Sequence, residues 1–399
     1  MADHSLIVNL VAAIVLAFFF GAIAQRFRIS PLVGYLLAGV AVGPFTPGFV
    51  GDTDLAMQFA EIGVILLMFG VGLKFSLADL WSVRGVAIPG ALVQISVATL
   101  LGYGVGSLMG LGPTEAVMLG FSLSVASTVV LLRALEDRHM VKTENGRICV
   151  GWLVVEDIAM VLAIVLLPAL AAAGGGGDSM SGALTALGLT IGKMGLFIML
   201  MLFVGARLFP WLIIRIAHLK SRELLSLGTL SLALGVAWVA YELFDASFAL
   251  GAFLAGVVMN GTKFTHRIAE DSLPLRDTFA VLFFVAVGML FDPMTLVREP
   301  IGVLSVVAII IVGKSAAALA ITSLYKLPLR TGMMIAASLA QIGEFSFVLA
   351  GMGVRLELLS GETYNLILAA ALISIALNPL MFRIAEAISD RRDAPPAPA

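Results

Sequence analysis

Apolar residues in this chain come in long runs rather than in alternating stripes. From about residue 5 to about residue 387 the sequence is a succession of apolar stretches, many of roughly 18–25 residues, parted by short polar or glycine-rich breaks. A run of that length spans the bilayer hydrocarbon as a helix, which satisfies its own backbone polar groups. Windows of about 19 residues give about thirteen spans, near 5–24, 30–44, 54–73, 85–109, 113–136, 146–172, 184–209, 222–243, 246–260, 274–291, 300–325, 330–351 and 363–387. Gly174 to Gly177 followed by Asp178 read as a flexible hairpin between the sixth and seventh spans. The first run, Leu6 to Ala24, ends in Ala22-Ile23-Ala24, which resembles a cleavage site. Met1 to Ser5 carry no Lys or Arg, so the run reads as the first span and not as a signal peptide. The predicted class is an all-α polytopic membrane protein.

Charge adds an orientation. Of 24 Lys and Arg, all but Lys193, Arg298, Lys314 and Arg355 follow odd-numbered spans. Cytoplasmic loops carry the basic excess, so the N-terminus is expected outside and the C-terminus in the cytoplasm. Composition agrees with the membrane reading: 60% of residues are hydrophobic and 13% charged, against about 45–50% and about 25% in soluble domains. The basic residues are scattered through loops and form no nucleic-acid surface. Cys149 is the single cysteine, which excludes an intrachain disulfide.

The chain also repeats itself. Ser30-Pro31-Leu32-Val33-Gly34-Tyr35-Leu36-Leu37-Ala38-Gly39-Val40 matches Ser247-Phe248-Ala249-Leu250-Gly251-Ala252-Phe253-Leu254-Ala255-Gly256-Val257. Val71-Gly72-Leu73-Lys74-Phe75 matches Val287-Gly288-Met289-Leu290-Phe291, and Ser122-Leu123 matches Ser338-Leu339, in nearly the same register. That offset equals seven spans, an odd number, so equivalent helices run in opposite directions. Spans 1–6 and 8–13 are expected to form an inverted repeat, an architecture of secondary transporters. Spans 5 and 12 are equivalent and hold small, hydroxyl and β-branched residues at mid-depth: Ser122 to Thr128, and Ser338 to Glu344. Close helix packing is one reading of this. The other is a pair of discontinuous helices crossing at the midplane, whose ends would face an ion.

Charges deep in a span are functional candidates by default. Glu156 and Asp157 lie mid-span in 6, Lys314 in 11 and Glu344 in 12. Glu61 is shallower, and Lys193 is within snorkelling reach of an interface. Glu156 and Lys314 are expected to pair. Asp157 then has no counter-charge, since one Lys cannot neutralise two adjacent carboxylates pointing about 100° apart. Asp157 must protonate, bind a cation, or alternate between the two. Burial penalises the bare carboxylate, so proton and alkali cation would compete for it. Ser127, Thr128, Gln341 and Glu344 are expected as supporting polar groups near the crossing, with Ser127, Thr128 and Gln341 giving neutral oxygens to the cation. No H-E-x-x-H, P-loop or G-x-G-x-x-G occurs, and His4, His139, His218 and His266 lie in loops or at the terminus, so no enzyme, cofactor or resident metal is expected.

At these residues the chain resembles the monovalent cation/proton antiporter-2 superfamily, Kef-type branch. The resemblance runs through Ser30 to Gly39, Val155-Glu156-Asp157-Ile158, Ser247 to Gly256 and Gln341-Ile342-Gly343-Glu344-Phe345. It implies a thirteen-helix homodimer in the bacterial inner membrane. Core helices at about 85–172 and 300–387 would move as an elevator against dimerisation helices at about 1–73 and 184–291. It also implies that Asp157 is the essential aspartate and Glu156 its neighbour in the ion site, with K⁺ favoured over Na⁺. Many members carry Gln or Asn where this chain has Glu156. The branch usually continues into a nucleotide-binding regulatory domain; here 388–399 reads as a Pro/Ala linker. The loop Asn260 to Asp271, with His266, would be a latch with nothing to hold it, and transport is expected to ignore nucleotide and glutathione. A Na⁺/H⁺ antiporter, a gated cation channel and a non-transporting sensor are the rival readings.

Overall fold

The computed structural model describes every residue except 1–4, 28, 48–49, 75–76, 137, 141–142, 175–179, 245, 261–264 and 394–399. Among the described residues the chain is helical throughout, with no strand. The helices are α1 (Ser5–Arg26), α2 (Pro31–Val42), α3 (Thr53–Lys74), α4 (Leu77–Leu108), α5 (Pro113–Ser124), α6 (Thr128–Glu136), α7 (Glu144–Gly174), α8 (Met180–Leu200), α9 (Ala206–His218), α10 (Arg222–Phe244), α11 (Phe248–Met259), α12 (Thr265–Met289), α13 (Thr295–Arg298), α14 (Pro300–Ala308), α15 (Lys314–Leu324), α16 (Leu329–Leu339), α17 (Glu344–Arg355) and α18 (Gly361–Asp393). Two π-helical stretches, Met201–Gly205 and Ile309–Gly313, join α8 to α9 and α14 to α15. Starts follow local chemistry. Proline, with φ preset for helix, opens α2, α5 and α14. Ser247 caps α11 by accepting from the Leu250 N–H.

Among the described residues, seven helical stretches are long and apolar enough to cross a membrane alone, or eight if the bent pair α16–α17 counts as one span. The protein is a multi-pass membrane protein. The short apolar helices α2 and α11 are each 12 residues long. They start at Pro31 and Phe248, the spacing found in the sequence.

Two expectations are corrected. Residues 388–393 are not linker but the end of α18, because Ala385 and Ser389, one turn apart, are both buried and carry the helix on; 394–399 lie outside the described residues. The expected loop Asn260 to Asp271 is helical from Thr265; residues 261–264 and the side chain of His266 lie outside the described residues. The hairpin glycines from Gly175 onward, with Asp178, also lie outside them.

The chain forms two compact units. The first comprises 1–17, 41–76 and 161–289. In it α3 packs on α11 and α12 through glycine. A Cβ on Gly72 would meet the backbone of Phe253 and Gly256, one on Gly256 the backbone of Phe69 and Gly72, and one on Gly63 the carbonyl of Phe279. Side-chain-free contact of this kind lets backbones approach closely, which drives helix association where lipid removes the hydrophobic effect. The second comprises 18–40, 77–160 and 290–399. There α4 and α5 meet at Gly102 and Gly120, Gly90 receives the Trp152 ring, and Trp152, Leu131, Ile335 and Phe382 belong to one buried apolar cluster. All the expected site residues fall in this second unit.

Candidate functional site

Both helices expected to be discontinuous are interrupted. Between α5 and α6 the chain is extended at Val125 (φ −99, ψ 136). Between α16 and α17 it leaves helical geometry at Ala340 (φ −73, ψ 36) and is extended at Gly343 (φ −108, ψ 177), and these two segments bend by 41°. An interrupted helix leaves N–H and C=O groups without partners, which hydrocarbon does not tolerate. Here each break satisfies the other. The Gly343 N–H donates to the Val125 carbonyl at 3.2 Å. The Ser127 N–H donates to Gln341 Oε1 at 3.0 Å, and Gln341 Nε2 donates back to the Ser127 carbonyl at 3.1 Å and to the Ser338 carbonyl at 3.3 Å. Only glycine fits at 343: a Cβ there would sit 2.8 Å from the Ala126 carbonyl oxygen and from Ser127 Cα.

The acidic pair on α7 faces these breaks. Neighbouring helical side chains point apart, so the two carboxylates reach different groups. Glu156 Oε2 accepts the Ala126 N–H at 2.9 Å, and Asp157 Oδ2 accepts the Thr128 hydroxyl at 2.9 Å. Glu156 is fully buried and Asp157 is 6% exposed. Among the described residues their other oxygens, Glu156 Oε1 and Asp157 Oδ1, are buried without a hydrogen-bond partner. Ser127 Oγ donates to Glu344 Oε2 at 2.9 Å and accepts the Val130 N–H at 3.2 Å. The charges of Glu344 and Glu156 both act on Asp157.

Lys314 comes directly after the π-helical stretch Ile309–Gly313. A π turn adds a residue to the helical winding and so re-aims the side chains beyond it. The buried ammonium donates to the Gln341 carbonyl at 3.0 Å. The direct ion pair expected with Glu156 is therefore not the contact formed; the two charges act on each other across space. The role expected of Gln341 also changes. Its amide is committed to backbone on both breaks, so it clamps the crossing instead of offering oxygen to an ion. Ser127 is similarly committed, whereas Thr128 lies beside Asp157. Glu61 and Lys193 belong to the first unit, where Glu61 is exposed and Lys193 half-buried.

Two residues that sequence reasoning passed over complete the site. Gln94 Nε2 donates to the Ser124 carbonyl at 3.0 Å, at the last residue of α5. Asn378 Nδ2 donates to the Ala337 carbonyl at 2.9 Å, in the last turn of α16. Each amide caps the carbonyl end of one half-helix. Their signal was an amide deep in an otherwise apolar span. Among the described residues no group of three or more His, Cys, Asp or Glu is placed to hold a metal ion. The arrangement thus gathers three carboxylates and one ammonium around two helix breaks, with an unfilled carboxylate oxygen at Asp157.

Residues 14–385 match the family described as "Sodium/hydrogen exchanger, transmembrane". The chain belongs to that family. Among its exchanger relatives, a protein of Escherichia coli (strain K12) named "Putative cation/proton antiporter YbaL" is 56% identical over 382 residues, 96% of this chain and 68% of that protein. The K(+) efflux antiporter 4 of Arabidopsis thaliana is 36% identical, over 97% of this chain and 65% of its own length. The glutathione-regulated potassium-efflux system protein KefC of Cronobacter sakazakii is 31% identical, over 90% of this chain and 57% of its own. The chain thus spans about two thirds or less of these relatives. The fold is that of the sodium proton antiporter MjNhaP1 from Methanocaldococcus jannaschii, with a TM-score of 0.75 over 97% of this chain and 99% of that one at 17% identity. These relatives are named as transport proteins, not as enzymes.

Proposed function

We propose that the chain is a secondary active monovalent cation/proton antiporter of a bacterial inner membrane, with K⁺ as the favoured cation and H⁺ and cation competing for Asp157. The observation that carries this reading is the unfilled, buried Oδ1 of Asp157 beside two mutually bonded helix breaks. A carboxylate in that position is stabilised by a proton or by a monovalent cation, and each excludes the other. That mutual exclusion is sufficient for exchange. Membership of the exchanger family supports the reaction class, and the names of the Arabidopsis and Cronobacter relatives favour K⁺. The name of the structural neighbour and the family description keep Na⁺ as the second reading.

The rest of the reading takes the same line. Thirteen spans in an inverted repeat, with the N-terminus outside, would place equivalent breaks at one depth from opposite sides. The core helices at about 85–172 and 300–387, which hold the site, would travel as the elevator of a homodimer whose scaffold is the helices at about 1–73 and 184–291. Neither a cofactor nor a nucleic-acid partner enters the cycle. Purified chain in proteoliposomes, with an imposed pH gradient and Na⁺, K⁺ or Rb⁺ added in turn, tests this. Cation-dependent dissipation of the gradient, largest with K⁺, is expected. Discrete single-channel currents without proton coupling would replace the antiporter by a channel.

A further inference from the structure

The second unit holds a half-open cavity, apart from the carboxylates of the crossing. It encloses about 290 Å³ and is lined by Arg138, Met140, Arg330, Met334, Ala385, Glu386 and Ser389. Two arginines from different elements therefore line one hollow. Arg138 stands just beyond the end of α6, and Arg330 is in the first turn of α16. Arg138 is oriented by three contacts. Its Nε pairs with Glu386 Oε1 at 2.7 Å, Nη1 donates to the Ala134 carbonyl at 3.1 Å, and Cζ lies 4.5 Å over the Phe382 ring. Among the described residues no contact engages Nη2. Arg330 is exposed and has no ion-pair partner among the described residues. Glu386 offsets one of the two positive charges and is itself 44% exposed in its side chain.

We propose that this cavity binds a phosphate-bearing anion, either a soluble phosphate compound or the headgroup of an anionic phospholipid. The chemistry is that of guanidinium forks: Arg presents planar paired donors that match phosphate oxygens, and two arginines lining one hollow favour a doubly charged group over a chloride. The room beyond a bare phosphate is walled by Met140 and Met334, which suits an organic portion. Glu386 is the built-in competitor, occupying Arg138 until the anion displaces it. The occupant would tie together the residues after α6, the start of α16 and the end of α18. Two of those helices lead directly into the breaks at the transport site, so occupancy acts on the crossing without touching it. The inference goes beyond antiport and does not depend on it.

The test is binding by the full chain in neutral detergent. Isothermal titration with inorganic phosphate and with glycerol phosphate forms one arm. Native mass spectrometry with phosphatidylglycerol against phosphatidylcholine forms the other. Binding in the first arm identifies a soluble ligand, and selective retention of phosphatidylglycerol alone identifies a headgroup. In either case Arg330→Gln weakens binding by about tenfold or more, the loss expected for one charge-assisted contact. Glu386→Gln tightens it several-fold, because the competing carboxylate is gone. Arg330 is exposed and unpaired, so its loss leaves the fold intact, which the melting temperature of the variant verifies. No binding in either arm, or binding indifferent to both Arg330→Gln and Glu386→Gln, overturns the proposal.

Discussion

Gly343→Ala is the most informative single change. The added Cβ would lie 2.8 Å from the Ala126 carbonyl oxygen and from both N and Cα of Ser127. Those are backbone atoms and cannot swing aside. The approach is about 0.6 Å short of ordinary van der Waals contact. At φ −108 and ψ 177 alanine is otherwise at ease, so the effect is steric alone. To relieve it, the two breaks must part, stretching the 3.2 Å bond from the Gly343 N–H to Val125 and pulling Thr128 away from Asp157. Overpacking of this kind costs about 1–3 kcal/mol. Misplacing site groups by a fraction of an ångström to an ångström can lower rate by about 100-fold. Gly351→Ala is the matched control, since nothing lies within 4 Å of its Cβ and it sits inside α17. There alanine should be neutral or stabilising by about 0.5–1 kcal/mol. The assay is thermal unfolding in detergent alongside cation-driven proton flux in liposomes. Equal melting temperatures and equal fluxes for Gly343→Ala and Gly351→Ala would refute the contact between the breaks as the seat of function.

Four further outcomes are expected. Asp157→Asn keeps the fold and abolishes exchange, and near-normal cation-driven proton flux in that variant would remove Asp157 from the mechanism. Competition at one carboxylate also fixes the sign of the pH dependence: as pH falls the proton occupies the site, so the apparent KM for the cation rises, by up to about tenfold per pH unit. A KM independent of pH, with only the maximal rate changing, would mean separate sites. Thr128→Val deletes the hydroxyl bonded to Asp157 and should weaken apparent cation affinity by roughly 5–10-fold while leaving turnover measurable; unchanged affinity would exclude Thr128 from the cation's surroundings. Glu156→Gln combined with Lys314→Met should be more stable than the sum of the single losses, by about 0.5–3 kcal/mol in a double-mutant cycle. Strict additivity would show that the two charges do not sense each other.

Much of the site was legible because hydrocarbon punishes polarity. A carboxylate pair or a lysine inside an apolar run stands out in any reading of Val155 to Ile158 or Val312 to Ser315. The breaks were legible for a different reason. Helix-poor residues recur at one offset, and the interruptions at 125–127 and 340–343 fall inside the two segments so marked. What the sequence withheld is partnership. Lys314 has Glu156 as its obvious counter-charge, yet its ammonium lies on the Gln341 carbonyl. A carbonyl exposed by a helix break appears in no composition or spacing. Gln341 seemed a cation ligand for the same reason, because its amide can serve an ion or a peptide group equally well and only the crossing decides. The π-helical turn before Lys314 was equally hidden. Its residues, Ile309 to Gly313, read as ordinary apolar helix. Gln94 and Asn378 could have been flagged, since each is a buried amide in an apolar span, but amides carry no charge to draw the eye.

The reciprocal bonding of the two breaks has a consequence for how the protein is made. Ser127 and Gln341, which satisfy each other, are 214 residues apart. Ribosomes add about 5–20 residues per second, so the first break enters the membrane roughly 10–40 s before its partner exists. During that interval the groups of Val125 to Ser127 cannot remain bare in lipid. The nascent α5–α6 segment must be held by water, by the insertion machinery, or as a continuous helix that opens only later. Closure of the crossing is therefore a late and long-range event in biogenesis, and a chain stopped before residue 340 has no means of completing its first half.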